Sequence, residues 1–163
     1  MKRYIKDNTF FKGSIVLEDK RIINPTHEQI LTAGYTEYIE GIDEVRDAKI
    51  REVKVHDQST AVNEFTLNGQ TMWLDKATRV GLMNSISIEK EAGRTETKLW
   101  FGAIEYTIPI AQAIQMLQAL ELYALDCYNV TQRHISSVQE LNSIEEIKQY
   151  NYTNNYPDKL IFN

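Results

Sequence analysis

The sequence predicts an α+β fold in three stretches: a small ββαβ-like unit over residues 1–40, a charged connector helix over 41–56, and a larger α+β domain over 57–163. In that domain two β-hairpins are expected to pack on a long helix. Three observations carry this reading. Asn68-Gly69 separates two extended apolar runs, a second pair of runs flanks Gly102-Ala103, and apolar residues recur at helical spacing from Ile110 through Cys127.

The first unit opens with short strands at Arg3-Tyr4-Ile5 and Ser14-Ile15-Val16-Leu17. Lys20–Ile23 is compatible with a third, with turns at Lys12-Gly13 and Glu18-Asp19. Asn24-Pro25 ends the meander, and Thr26-His27-Glu28-Gln29 matches a capping box, in which hydroxyl and amide satisfy free N–H groups at a helix start. Gly34 stands where that helix needs a left-handed residue, and Tyr35–Ile39 alternates like a strand. A unit of about 40 residues has little core of its own, so it is expected to dock on something.

In residues 42–55, Ile42, Val45 and Ala48 fall at helical spacing with charged residues between them. Residues 50–55 also fit an extended run. The larger domain begins with a hairpin, Val62–Leu67 and Gln70–Leu74, because both central residues of a type I′ turn need positive φ and Asn-Gly supplies them. Asp75 then caps a helix whose Val80, Met83 and Ile86 share a face and which stops at Gly93. Thr95–Phe101 and Ile104–Ile108 make the second hairpin, and Pro109 fits the first turn of the long helix. Along that helix Ile110, Ala113, Ile114, Leu117, Leu120, Ala124 and Cys127 form the core stripe, widened by Leu125 and Tyr128. Val130, His134, Ile135 and Val138 extend the pattern toward Leu141. Ser143-Ile144-Glu145-Glu146 is a second capping box, and Leu160-Ile161-Phe162 reads as a last strand or an apolar plug.

Composition limits the function. Hydrophobic residues at 42% and charged residues at 25% are enough for a packed core and too apolar for disorder. The net charge of −5 lies entirely beyond His56, since residues 1–56 hold ten acidic and ten basic side chains. Such a chain lacks the cationic field that a phosphate backbone requires, so nucleic acid is not an expected partner. One cysteine, no long apolar run and the polar start MKRYIKDN point to folding in the cytoplasm, away from membranes.

Chemistry is hard to find. His27, His56 and His134 are scattered; Cys127 and His134 share a helix face but lie about two turns of 5.4 Å apart, too far to act as nucleophile and base. Glu145-Glu146 and Glu89/Glu91 diverge on their helices, and the seven glycines form no phosphate-binding loop. No catalytic residue, cofactor or metal is therefore expected. Trp73, Trp100, Phe101 and Tyr106 sit in or beside the hairpins; packing on the long helix is the ordinary reading, and stacking of a sugar or base requires exposed ring faces. Tyr150, Tyr152 and Tyr156 suit a protein contact, since tyrosine joins an apolar body to a hydrogen-bonding tip.

The stretch AVNEFTLNGQTMWLDKATRVGLMNSISIEKEAGRTETKLWFG, with LQALELYALDCYNVTQRH and YNYTNNYPDKL, resembles a domain of unknown function found in phage and prophage proteins, notably those of gut Bacteroides. INPTHEQILTAGYTEY is similar to a short segment ahead of that domain and in other small phage tail proteins. The resemblance implies a non-enzymatic virion structural protein of the tail or fibre-attachment apparatus. Such a protein would assemble in the host cytoplasm and stay in the particle as a symmetric oligomer touching other virion proteins. An assembly chaperone absent from the mature particle is the alternative, and a receptor- or glycan-binding module the third. On the first reading Ile30, Tyr35, Tyr38, Tyr152, Tyr156 and Phe162 are the expected interface residues.

Overall fold

In the computed structural model, which describes residues 2–163, the chain divides into two compact units between Glu44 and Val45. The first begins with β1 (Tyr4–Lys6) and β2 (Thr9–Phe10), an antiparallel hairpin closed by Asp7 and Asn8 at φ 49° and 60°. β2 was not expected, because a two-residue strand has no alternation and Asp-Asn is a weaker turn signal than Asn-Gly. β3 (Ser14–Leu17) and β4 (Lys20–Ile23) pair as expected, with Ile15 opposite Ile22 and with Glu18 and Asp19 at positive φ in the turn.

The capping box opens α1 (His27–Thr32): Gln29 N–H donates to Thr26 Oγ1 at 3.3 Å and Thr26 N–H to Gln29 Oε1 at 2.9 Å. Gly34 ends the helix at φ 84°. The strand expected over Tyr35–Ile39 shrinks to β5 (Thr36–Glu37), antiparallel to β1, because the Tyr35 N–H is still bound to the Ile30 carbonyl of the helix end. Tyr4, Ile15 and Ile30 are the buried apolar side chains of this unit.

Helix α2 (Ile42–Asp57) crosses the division, so most of the stretch expected as a connector belongs to the second unit. It is helical throughout, including residues 50–55, with Asp43 and Glu44 at its start and Lys54 and His56 at its end, where each sign suits the helix dipole. Arg46 Nη2 donates to the Leu141 carbonyl at 3.0 Å, and Val45 and Val53 are buried. Next comes α3 (Thr60–Asn63), where a strand start was expected at Val62; the Asn63 amide donates to the Asp57 and Ser59 carbonyls and holds the chain in a turn.

β6 (Glu64–Leu67) and β7 (Gln70–Trp73) form the Asn-Gly hairpin, with Asn68 and Gly69 at φ 49° and 76°. Asp75 caps α4 (Lys76–Glu91). The buried positions of α4 are Arg79 and Ile86, while Val80, expected inside, is exposed. Arg79 takes the inner position because its Nε donates to Glu121 Oε1 at 2.8 Å and its Nη1 to the Leu74 carbonyl at 2.7 Å. β8 (Glu96–Phe101) and β9 (Ile104–Pro109) form the second hairpin, and Pro109 is both its last residue and the N-cap of α5 (Ile110–Glu140).

The core gathers where the hairpins meet the first turns of α5: Phe65, Met72, Ile86 and Leu99 pack with Ala113 and Leu117. Farther along, Tyr123 and Cys127 pack with Val62. Leu125 and Tyr128, expected to widen the stripe, are exposed, since the inner line runs through Tyr123, Cys127, Val130, Thr131, His134 and Val138. α6 (Ile144–Gln149) follows a Ser143 cap, and β10 (Ile161–Phe162) returns parallel to β6, giving the order β10-β6-β7.

Leu117 is fully buried, so Leu117→Ala should destabilise the chain by about 2–5 kcal/mol. Leu125→Ala should stay within about 0.5 kcal/mol, both read by urea denaturation. A pH effect follows from the α4 cap. The Thr78 N–H and hydroxyl both donate to the Asp75 carboxylate at 2.8 Å and hold its carboxyl below the usual range. A lowered folded pKa stabilises above the unfolded value of about 3.9, and that contribution disappears as pH falls through the folded one. Asp75→Asn keeps an acceptor but cannot titrate, so its acid denaturation limb should be shallower; identical limbs would refute the assignment.

Candidate functional site

β7 pairs only with β6, and β8 only with β9, so each leaves an open edge among the described residues. Strand alternation sends Met72 into the core and Thr71 and Trp73 outward; on β8 it buries Thr97 and Leu99 and sends Lys98 and Trp100 outward. Between β7 and the tip of the second hairpin lies a groove of about 370 Å³, with Gln70, Thr71, Trp73, Trp100 and Ile104 along it. The core packing expected of the hairpin aromatics holds for Phe101, edge-on to Phe65 and Tyr106 at 6.3 and 5.7 Å, but not for the tryptophans. Trp73 is 50% exposed and Trp100 62%. Their strand parity accounts for this: Trp73 lies opposite Glu64 and Trp100 opposite Glu105, both on the outer face.

The charges beside the groove are paired. Lys98 Nζ lies 2.8 Å from Glu105 Oε1, and Lys159 bonds to Glu64. None of the groove's own side chains is acidic or basic.

A second constellation joins the chain end to α2 and α5. The Thr131 hydroxyl donates to Asp57 Oδ1 at 2.7 Å, which leaves the Tyr156 hydroxyl to donate to Thr131 Oγ1 at 2.9 Å. His134 Nε2 lies 3.0 Å from the Asn154 carbonyl, which can only accept, so that nitrogen carries the proton. In the neutral ring Nδ1 then accepts from the Tyr150 hydroxyl at 2.9 Å. The Tyr156 ring lies 5.2 Å from His56 and 5.8 Å from His134. Burial pushes the Tyr156 phenol up, and likewise the Cys127 thiol and the Tyr123 phenol. A raised thiol pKa keeps Cys127 protonated and a poor nucleophile. Thr131, Asp57, Tyr156, His134 and Tyr150 are hydrogen-bonded to one another or to the backbone, which is the pattern of a structural joint.

The six expected interface residues fall in different settings. Ile30 is 4% exposed and belongs to the interior of its own unit. Tyr35 is edge-on to Phe11 at 5.9 Å; Tyr38 is edge-on to Phe10 at 5.0 Å and bonds to Glu44. Tyr152 and Tyr156 come together on His56, with the Lys49 ammonium 5.4 Å from the Tyr152 ring centre. Phe162 packs on Phe65 at 5.9 Å and borders a hollow of about 580 Å³ between β9, β10 and α5, where Gln112 and Gln115 present amide groups. Sequence reasoning did not foresee Thr131 and Arg79 as buried anchors, since their partners lie 74 and 42 residues away.

No group of three or more metal-ligating side chains occurs among the described residues, and no helix there is long and apolar enough to cross a membrane. Comparison with protein-family models, curated proteins and solved structures finds no match.

Thr131→Val keeps shape but strands the Asp57 carboxylate and the Tyr156 hydroxyl. It should destabilise by about 1–3 kcal/mol, against about 1 kcal/mol for Tyr156→Phe, measured by urea denaturation. Equal, near-zero effects would mean that the chain of hydroxyls contributes nothing.

Proposed function

We propose that this chain is a non-enzymatic bacteriophage virion protein of the tail or fibre-attachment apparatus, acting through protein–protein contacts as part of a symmetric oligomer. The observation that carries the reading is the apolar surface of the first unit. On the β3-β4 ribbon Ile15 is buried, while Val16 and Ile23 share the opposite face and are exposed. Ile39 is 84% exposed. A small unit that directs branched apolar side chains outward from ordered strands has a surface suited to a partner. The resemblance of residues 61–102, 117–134 and 150–160 to a phage domain, read from the sequence alone, motivates the same reading.

Quantitative mass spectrometry of purified particles of the encoding phage separates a virion component from a chaperone. A component should appear at a small multiple of the portal copy number; absence from particles with abundance in the lysate would favour the chaperone. The double variant Val16→Ser/Ile23→Ser should keep its unfolding midpoint, because both positions face solvent. Its incorporation should fall at least about tenfold, since each buried branched side chain is worth about 1.5–3 kcal/mol at a contact. Unchanged incorporation would remove the β3-β4 face from the interface.

A further inference from the structure

The groove between β7 and the tip of the second hairpin has no role in the contacts just described, and its chemistry is specific. Its two indoles are the only tryptophans in the chain, each carried on a strand whose inward neighbours are locked into the core. The rings are therefore exposed on strands anchored in the core. Beside them the Gln70 and Thr71 side chains make no hydrogen bond among the described residues, so an amide and a hydroxyl stand open next to the two indoles. The groove has no acidic or basic side chain, and the nearest charges, Glu64 with Lys159 and Glu105 with Lys98, neutralise each other. A volume of about 370 Å³ is in the range of small-ligand sites.

A ligand that matches this arrangement has flat apolar faces, a rim of neutral hydrogen-bonding groups and no net charge. A pyranose ring has these features: its C–H face stacks on an indole, and its hydroxyls both donate and accept. Nucleobases on a phosphate chain share the flat face but bring anionic charge that nothing in the groove meets. We infer that the Trp73–Trp100 groove is a binding site for a neutral oligosaccharide, with the indoles as stacking platforms and Gln70 and Thr71 as hydroxyl partners.

Because both tryptophans line the groove, intrinsic fluorescence of the full chain reports occupancy directly. The probes are maltohexaose, cellohexaose and hexa-N-acetylchitohexaose at millimolar concentration. At least one should shift the emission to shorter wavelength in a saturable way and reduce acrylamide quenching about twofold or more. Trp73→Ala and Trp100→Ala, with unfolding midpoints checked, should each weaken that binding about tenfold, and Gln70→Ala should weaken it less. The inference is overturned if none of the three saccharides changes emission or quenching, or if affinity survives in both tryptophan variants. It is overturned in favour of a protein contact if the saccharides are silent while the tryptophans become protected in assembled particles. Incorporation into particles is measured separately, so failure here leaves the structural role standing.

Discussion

The structure of the second unit depends on how α5 is covered. Thirty-one helical residues extend about 46 Å, and the inner line of buried side chains runs nearly the whole way, from Ile110 to Val138. Strands of four to six residues reach only about 13–20 Å, so neither hairpin can cover that line. The chain divides the task. The hairpins and α4 take the first turns, where Ala113 and Leu117 are fully buried, and α3 takes the middle at Tyr123 and Cys127. The segment after α6 takes the turns near Thr131 and His134. The return of β10 to the side of β6 follows from this path, because a segment running back along α5 arrives at the edge of the first hairpin.

The two halves of α5 are held by different physics. The first is apolar, and an apolar seam alone tolerates sliding. The second carries Thr131 and His134 at inner positions, where a hydroxyl and an imidazole destabilise unless paired. The Tyr156-to-Thr131-to-Asp57 chain of donors and the two hydrogen bonds of His134 pair them in one geometry only. This polar joint therefore specifies where the last segment lies, while the apolar seam supplies the bulk of the burial. Arg79 does the same within the first half, tying α4 to Glu121 of α5 and to Leu74 just past β7.

Local signals made much of this fold legible in advance. The capping box at Thr26, the side-chain N-cap at Ser143, the Asn68-Gly69 turn and the Asp75 cap each depend on residues within three positions of one another, and all formed; at Ser143 the expected box is only half made, because the Glu146 carboxylate accepts from the Ser143 hydroxyl. What stayed hidden depends on distance along the chain. Arg79 looks like surface charge until Glu121 stands beside it, and Thr131 is one more helical polar residue until Asp57 and Tyr156 meet it. The tryptophans are a different case. Alternation along β7 and β8 places them outside, but their size suggested the core, and the period was the better guide.

The outward tryptophans and the open strand edges also bear on function. An exposed edge invites unwanted pairing, and proteins usually blunt it with charge, proline or a covering element. β7 carries Gln70, Thr71, Met72 and Trp73, with no charge and no proline, and no strand pairs with its outer edge among the described residues. Two half-exposed indoles add nothing to the interior, which Phe65, Phe101 and Phe162 already fill edge to face. Replacing the indoles with polar residues would leave the hydrophobic cluster intact, so folding alone does not require them. An open edge and two outward indoles are instead features whose benefit appears when something lies against them.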